Sequence, residues 1–123
     1  MDNNTSSDSA ARILVVEDEL IIAKGIQKRL QTLGYCVAGS ASSGEQAVEK
    51  ALRLLPDLVL MDINLQGSMD GVTAAELIRT KADMPVIFLT AYADADTLER
   101  AKVTEPFGYI VKPFQDITLQ SSI

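Results

Sequence analysis

Four short apolar runs punctuate the chain: Ile13-Leu14-Val15-Val16, Leu58-Val59-Leu60-Met61, Val86-Ile87-Phe88-Leu89 and the weaker Tyr109-Ile110-Val111. None of them alternates with polar residues. Uninterrupted runs of this length predict strands covered on both faces, as in a parallel sheet. Tyr35 to Ala38 is a weaker fifth candidate. Helical periodicity fills the intervals. Ile22, Ile26, Leu30 and Leu33 recur at helical spacing, and Gly34 stops that helix. Ser42, with Glu45 three residues on, makes a capping box for the next helix. Its inner face is read as Ala47, Val48, Ala51, Leu52 and Leu55, ahead of Pro56. Asp70-Gly71 opens a third helix carrying Val72, Ala75 and Ile78. Asp94 or Asp96 caps a fourth, with Leu98 and Ala101 inward, and Gln115 begins a fifth that is short or truncated.

The order is β-α five times. Such alternation predicts a doubly wound five-stranded parallel sheet of order 2-1-3-4-5 between two helical layers, the flavodoxin-like α/β/α arrangement. In such sheets the working crevice lies beyond the C-terminal strand ends, where strand order reverses. Residues 1–11 are mostly polar or small and read as a disordered leader, and 12–123 read as one domain.

Composition narrows the chemistry. Apolar residues make up 47% of the chain, enough for one core. Acids outnumber bases 17 to 11, with no basic stripe, so direct nucleic-acid binding is not expected. Histidine is absent, which removes imidazole acid-base catalysis, a Ser-His-Asp triad and most zinc sites. Cys36 is the lone cysteine, so no internal disulfide can form; it reads as a buried small hydrophobe in a reducing, cytoplasmic setting. No run is long enough for membrane insertion, and no signal-peptide pattern opens the chain.

The loops at the strand ends hold a complementary set. Glu17 and Asp18 follow the first strand, Asp62 and then Asn64 the third, Thr90 the fourth, and Lys112-Pro113 the fifth. Taken singly, each is an ordinary turn or cap residue. Together, at one edge of a parallel sheet, they describe a site. Crowded carboxylates repel one another and call for a cation, and oxygen ligands suit Mg²⁺. A carboxylate can accept a phosphoryl group, a transfer that depends on positioning and charge neutralisation. Lys112 and a cation can neutralise phosphoryl oxygens, and the Thr90 hydroxyl can donate to one.

The stretches ILVVEDE (13–19), PDLVLMDINL (56–65), MDG (69–71), PVIFLTAYAD (85–94) and GYIVKPF (108–114) together resemble the receiver domain of two-component response regulators, over about residues 12–114. The resemblance implies that Asp62 is the nucleophilic phosphoacceptor and Asp18 a direct ligand of Mg²⁺, for which Mn²⁺ can substitute. Glu17 would reach the metal through water, and the Asn64 backbone carbonyl would be a further ligand. Thr90 and Lys112 would contact the phosphoryl group, the Lys112–Pro113 bond would be cis, and Tyr109 would be the switch aromatic that turns inward with Thr90. The implied partners are a sensor histidine kinase or phosphotransfer domain, an output domain in the same or another chain, and a second copy in a homodimer. Such a domain is not a free-standing enzyme, although it catalyses its own aspartate phosphorylation and slow dephosphorylation. Its parent would be a hybrid histidine kinase or a multi-domain regulator.

Two features depart from the family pattern. Gln66 stands where a proline is usual, in a loop one residue longer, and Gln115 to Ile123 is short for a fifth helix. Rival readings fail on single residues. A P-loop reading of Gly39 to Gly44 meets Glu45 where lysine is required. In a flavin module, Glu17-Asp18-Glu19 would repel the phosphate. An aspartyl-phosphate phosphatase would carry a second aspartate where Asn64 stands. A phosphorylation-independent pseudo-receiver remains the alternative within the family.

Overall fold

The computed structural model of the chain describes residues 10–63, 65, 67–90 and 108–111. The expected leader up to residue 9, Asn64, Gln66, the fourth helix, Lys112-Pro113 and the fifth helix lie outside the described residues. In chain order the elements are β1 (Arg12–Val16), α1 (Leu20–Thr32), β2 (Cys36–Ala41), α2 (Gly44–Leu54), β3 (Leu58–Asp62), α3 (Gly71–Ala82), β4 (Val86–Thr90) and β5 (Gly108–Val111). The strands form one parallel sheet of order β2-β1-β3-β4-β5, the expected topology.

The apolar runs are continuous because alternate residues serve opposite faces. Ile13 and Val15 join Leu58, Leu60, Ile87 and Leu89 under Ile26 and Leu30 of α1. Leu14 and Val16 join Val59, Met61, Val86 and Phe88 under α2 and α3, which contribute Ala47, Ala51, Val72, Ala75 and Ile78. Small residues on α2 let it sit close to the sheet.

α1 ends in a Schellman motif. Gly34 takes φ +96, its N–H donates to the Gln31 carbonyl, and the Tyr35 N–H donates to the Leu30 carbonyl. Only a residue free of a Cβ penalty turns the chain this way so readily.

Several local expectations are corrected. The N-cap of α2 is Ser43, whose hydroxyl accepts from the Gln46 N–H at 3.1 Å; the box is therefore one residue later than Ser42 and Glu45. Gln46 reaches back to accept from the Ser42 N–H (3.0 Å), and this frees Glu45 for another partner. Ile22, Leu52 and Leu55 are exposed rather than inward. The buried face of α1 is Ala23, Ile26 and Leu30, and Leu55 has already left α2 in a left-handed C-cap conformation. β2 runs on to Ala41, because its ladder with β1 resumes at Leu14 after a bulge. Cys36, at its start, is half-buried rather than buried.

Candidate functional site

Register alone brings the acids together. Val16 of β1 pairs with Met61 of β3, so the next residue on each strand, Glu17 and Asp62, emerges side by side. These are the two strands between which the order reverses, and there a crevice opens. The Glu17 N–H extends the ladder to the Ala41 carbonyl (3.0 Å), and the Ile63 N–H extends it to the Leu89 carbonyl (2.9 Å). Backbone on both sides thus holds the acid-bearing residues in place.

Glu17, Asp18 and Asp62 each offer a carboxylate oxygen within 4.8 Å of the others. Glu17 is 1% exposed and Asp62 5%, while Asp18 is half-buried. The Glu17 carboxylate accepts from the Glu19 N–H at 3.3 Å, just ahead of α1. Three carboxylates at such range carry a charge that low-polarity surroundings make costly, and a hard divalent cation relieves it. The donor set is all oxygen, which fits Mg²⁺ or Mn²⁺ and not a thiophilic metal.

The other expected site residues fall as follows. Thr90 ends β4 one residue past Leu89, the register partner of Asp62. Tyr109 lies in β5 opposite Phe88. Asn64 and Lys112 lie outside the described residues.

The sequence reading gave Gly44, Ser68 and Met69 no contact with one another or with Glu45, and it left the contact between Gly71 and Asp62 unseen. A Cβ on Gly71 would stand 2.2 Å from the Asp62 carbonyl oxygen and 2.9 Å from the Ile63 Cα. Asp70, the N-cap of α3, accepts from the Thr73 N–H at 2.9 Å. Ser68 Oγ donates to Glu45 Oε2 at 2.7 Å, and this bond holds the Glu45 carboxyl below the usual carboxylate range. Whatever stability the bond adds is therefore present above the ordinary glutamate value and is lost as pH falls through the lowered one. The only sequence signal for these contacts was a pair of glycines at helix starts, Gly44 and Gly71.

Fold and acids together describe a flavodoxin-like protein with an acidic cluster, able to hold a metal ion, at its topological switch point. The response regulator receiver domain model matches residues 13–123, and the chain belongs to that family, whose members act in two-component signalling as phosphorylation-accepting switches. It is 39% identical over 112 residues to the transcriptional regulatory protein PdtaR of Mycobacterium tuberculosis, a match covering 89% of this chain and 54% of that protein. It is 38% identical over 109 residues to a protein-glutamate methylesterase/protein-glutamine glutaminase of Archaeoglobus fulgidus, covering 81% of this chain and 31% of that one. Among solved structures, the signal receiver domain of a modulated diguanylate cyclase from Desulfovibrio desulfuricans G20 superposes with a TM-score of 0.88 at 40% identity, covering 93% of this chain and 90% of that one. The chain spans about half the length, or less, of these curated relatives. Among the described residues, no helix is long and apolar enough to cross a membrane.

Proposed function

We propose that Asp62 takes a phosphoryl group from a phosphohistidine on a sensor kinase or phosphotransfer domain. A carboxylate oxygen of Asp62 bonds to phosphorus, the P–N bond breaks, and its electron pair returns to the imidazole. The observation that carries this reading is the convergence of Glu17, Asp18 and Asp62 at the switch point of a receiver fold. Asp18 and Asp62 would hold Mg²⁺ together with the Asn64 carbonyl, and Glu17 would support the ion through water; the ion would supply neutralisation of charge on the phosphoryl oxygens. Lys112 and the Thr90 hydroxyl hold those oxygens. Thr90 and Tyr109 then carry the change to the face formed around β5, which controls an output domain in the same or another chain.

The test is direct. Incubated with acetyl phosphate and Mg²⁺, the chain should gain one phosphoryl group by intact mass, and EDTA should prevent the gain. No uptake under any divalent cation would leave the pseudo-receiver reading in its place.

Metal binding has a second readout. A ligand at ten times its dissociation constant stabilises a fold by about 1.4 kcal/mol. For a domain of this size each kcal/mol raises the melting midpoint by roughly 4 °C. Mg²⁺ at ten times its dissociation constant should thus raise the midpoint by about 6 °C, and Asp18→Ala should lose that shift. An unchanged shift in Asp18→Ala would remove Asp18 from the ligand set.

A further inference from the structure

The chain that leaves Asp62 does not pass straight to α3. It first crosses the start of α2, and there it is held unusually close. A Cβ built on Gly44 would lie 2.6 Å from the Met69 carbonyl oxygen, 2.9 Å from Met69 Cγ and 3.0 Å from Met69 Cβ. Met69 therefore rests on a helix start where no side chain fits. Its own side chain packs against the buried cluster under α2 and α3. One residue earlier, Ser68 donates to Glu45, the second residue of α2. Two residues later, Gly71 closes onto the Asp62 carbonyl. Between them Asp70 caps α3, and ahead of them Gly67 takes φ +102. Ser68 and Met69 thus rest on α2, Asp70 is tied to the first turn of α3, and Gly71 lies on the backbone of Asp62.

We propose that Gly44 and Glu45 are positioning residues that latch the loop between β3 and α3 onto α2, and so set where Asp62 and its loop meet the cation and the phosphoryl group. The proposal rests on the reading of Asp62 as acceptor. The reasoning is geometric. The Met69 atom nearest Gly44 is its carbonyl oxygen, with Cγ and Cβ next, so turning the Met69 rotamer would clear only Cγ and a side chain at 44 must also displace backbone. Residues 67–71 follow, and their far end bears on the Asp62 carbonyl. A small displacement of a reacting group is costly in rate. Ligand-supporting contacts outside the immediate shell commonly change metal affinity or activity by about 10–100-fold.

The experiment compares four variants of the 123-residue chain: Gly44→Ala, Glu45→Ala, Glu45→Gln and Ser43→Ala. Three quantities are read: the rate of phosphoryl uptake from acetyl phosphate, the Mg²⁺ affinity, and amide hydrogen exchange over residues 67–71. Gly44→Ala should lower rate and affinity by about 10-fold, at the low end of that range, and speed exchange over 67–71. Glu45→Ala should do the same more weakly, by roughly 3-fold, as the loss of one exposed hydrogen bond implies. Glu45→Gln keeps an acceptor for Ser68 and should behave as wild type. Ser43→Ala removes the α2 cap and should lower the melting midpoint, yet leave rate, affinity and loop exchange unchanged. Wild-type rates and exchange in both Gly44→Ala and Glu45→Ala would overturn the latch. Equal losses in Ser43→Ala would also overturn it, since general loosening of α2 would then explain them. Should Gly44→Ala fail to fold, the Glu45 pair decides. A wild type that takes up no phosphoryl group refutes the acceptor reading instead, and Mg²⁺ affinity and exchange in the same variants still decide the latch.

Discussion

Replacing Asp62 with asparagine should abolish phosphoryl uptake while leaving the chain folded. The side chains are nearly equal in volume, so the exchange adds no bulk at Asp62, which is 5% exposed at the end of β3. An amide oxygen carries no full charge and is a poor nucleophile toward phosphorus, so the step that forms the O–P bond is lost. The Glu17 carboxylate is buried and accepts from the Glu19 N–H, and in the proposed reading Asp18 serves the cation, so neither is expected to accept the phosphoryl group in place of Asp62. Uptake by intact mass should therefore fall to background, since an amide at this position cannot form the acyl phosphate. Stability should move the other way or not at all. Without a cation, Asp62→Asn removes one of three mutually repelling carboxylates, so its melting midpoint in EDTA should be no lower than that of the wild type. Intact-mass time courses and paired thermal melts check both halves. Full uptake by Asp62→Asn would move the acceptor to another residue.

The strands were legible because both sheet faces are covered. An apolar run such as Ile13 to Val16 needs no partner information to be read as buried, and residues on either side of each strand go to different cores. The acids were legible for a related reason. In a parallel sheet, every residue that follows a strand arrives at the same edge, so Glu17, Asp18 and Asp62 converge by topology alone. Helix faces were less legible. Ile22 and Leu52 fit the apolar period but stand at the margins of their faces, and Leu55 lies past the last turn of α2. The α2 cap was displaced by one residue because Ser42 with Glu45 and Ser43 with Gln46 are both competent pairs; the Gln46 bonds to Ser43 and Ser42, and the bond of Ser68 to Glu45, separate the two readings. The loop contacts were illegible for a different reason. They join Gly44 to Met69, Glu45 to Ser68 and Gly71 to Asp62, and a glycine at a helix start does not say what lies against it.

Gly71→Ala should be strongly destabilising, whereas the same change at Gly25 should be mildly stabilising. Gly25 sits on the exposed side of α1, with nothing within 4 Å of an added Cβ. There the substitution only restricts the unfolded chain and improves helix propensity, a gain of about 0.5–1 kcal/mol. At Gly71 the new methyl would lie 2.2 Å from the Asp62 carbonyl oxygen, 2.9 Å from the Ile63 Cα and 3.1 Å from the Asp62 carbonyl carbon. All three are backbone atoms, so no rotamer change relieves the clash. Either α3 backs away from β3 or the end of β3 shifts. Overpacking of this kind costs about 1–3 kcal/mol, and a collision with main chain belongs at the upper end. At roughly 4 °C for each kcal/mol, the midpoint should drop by about 10 °C. The function should suffer further, because the displaced atoms belong to Asp62 itself. A misplacement of about 1 Å can lower a rate by about 10²-fold. Thermal melts of the two variants should therefore move in opposite directions, and only Gly71→Ala should lose phosphoryl uptake at a temperature where both are fully folded. If Gly71→Ala melts with the wild type and takes up phosphoryl at its rate, the close approach of α3 to Asp62 does not govern the site.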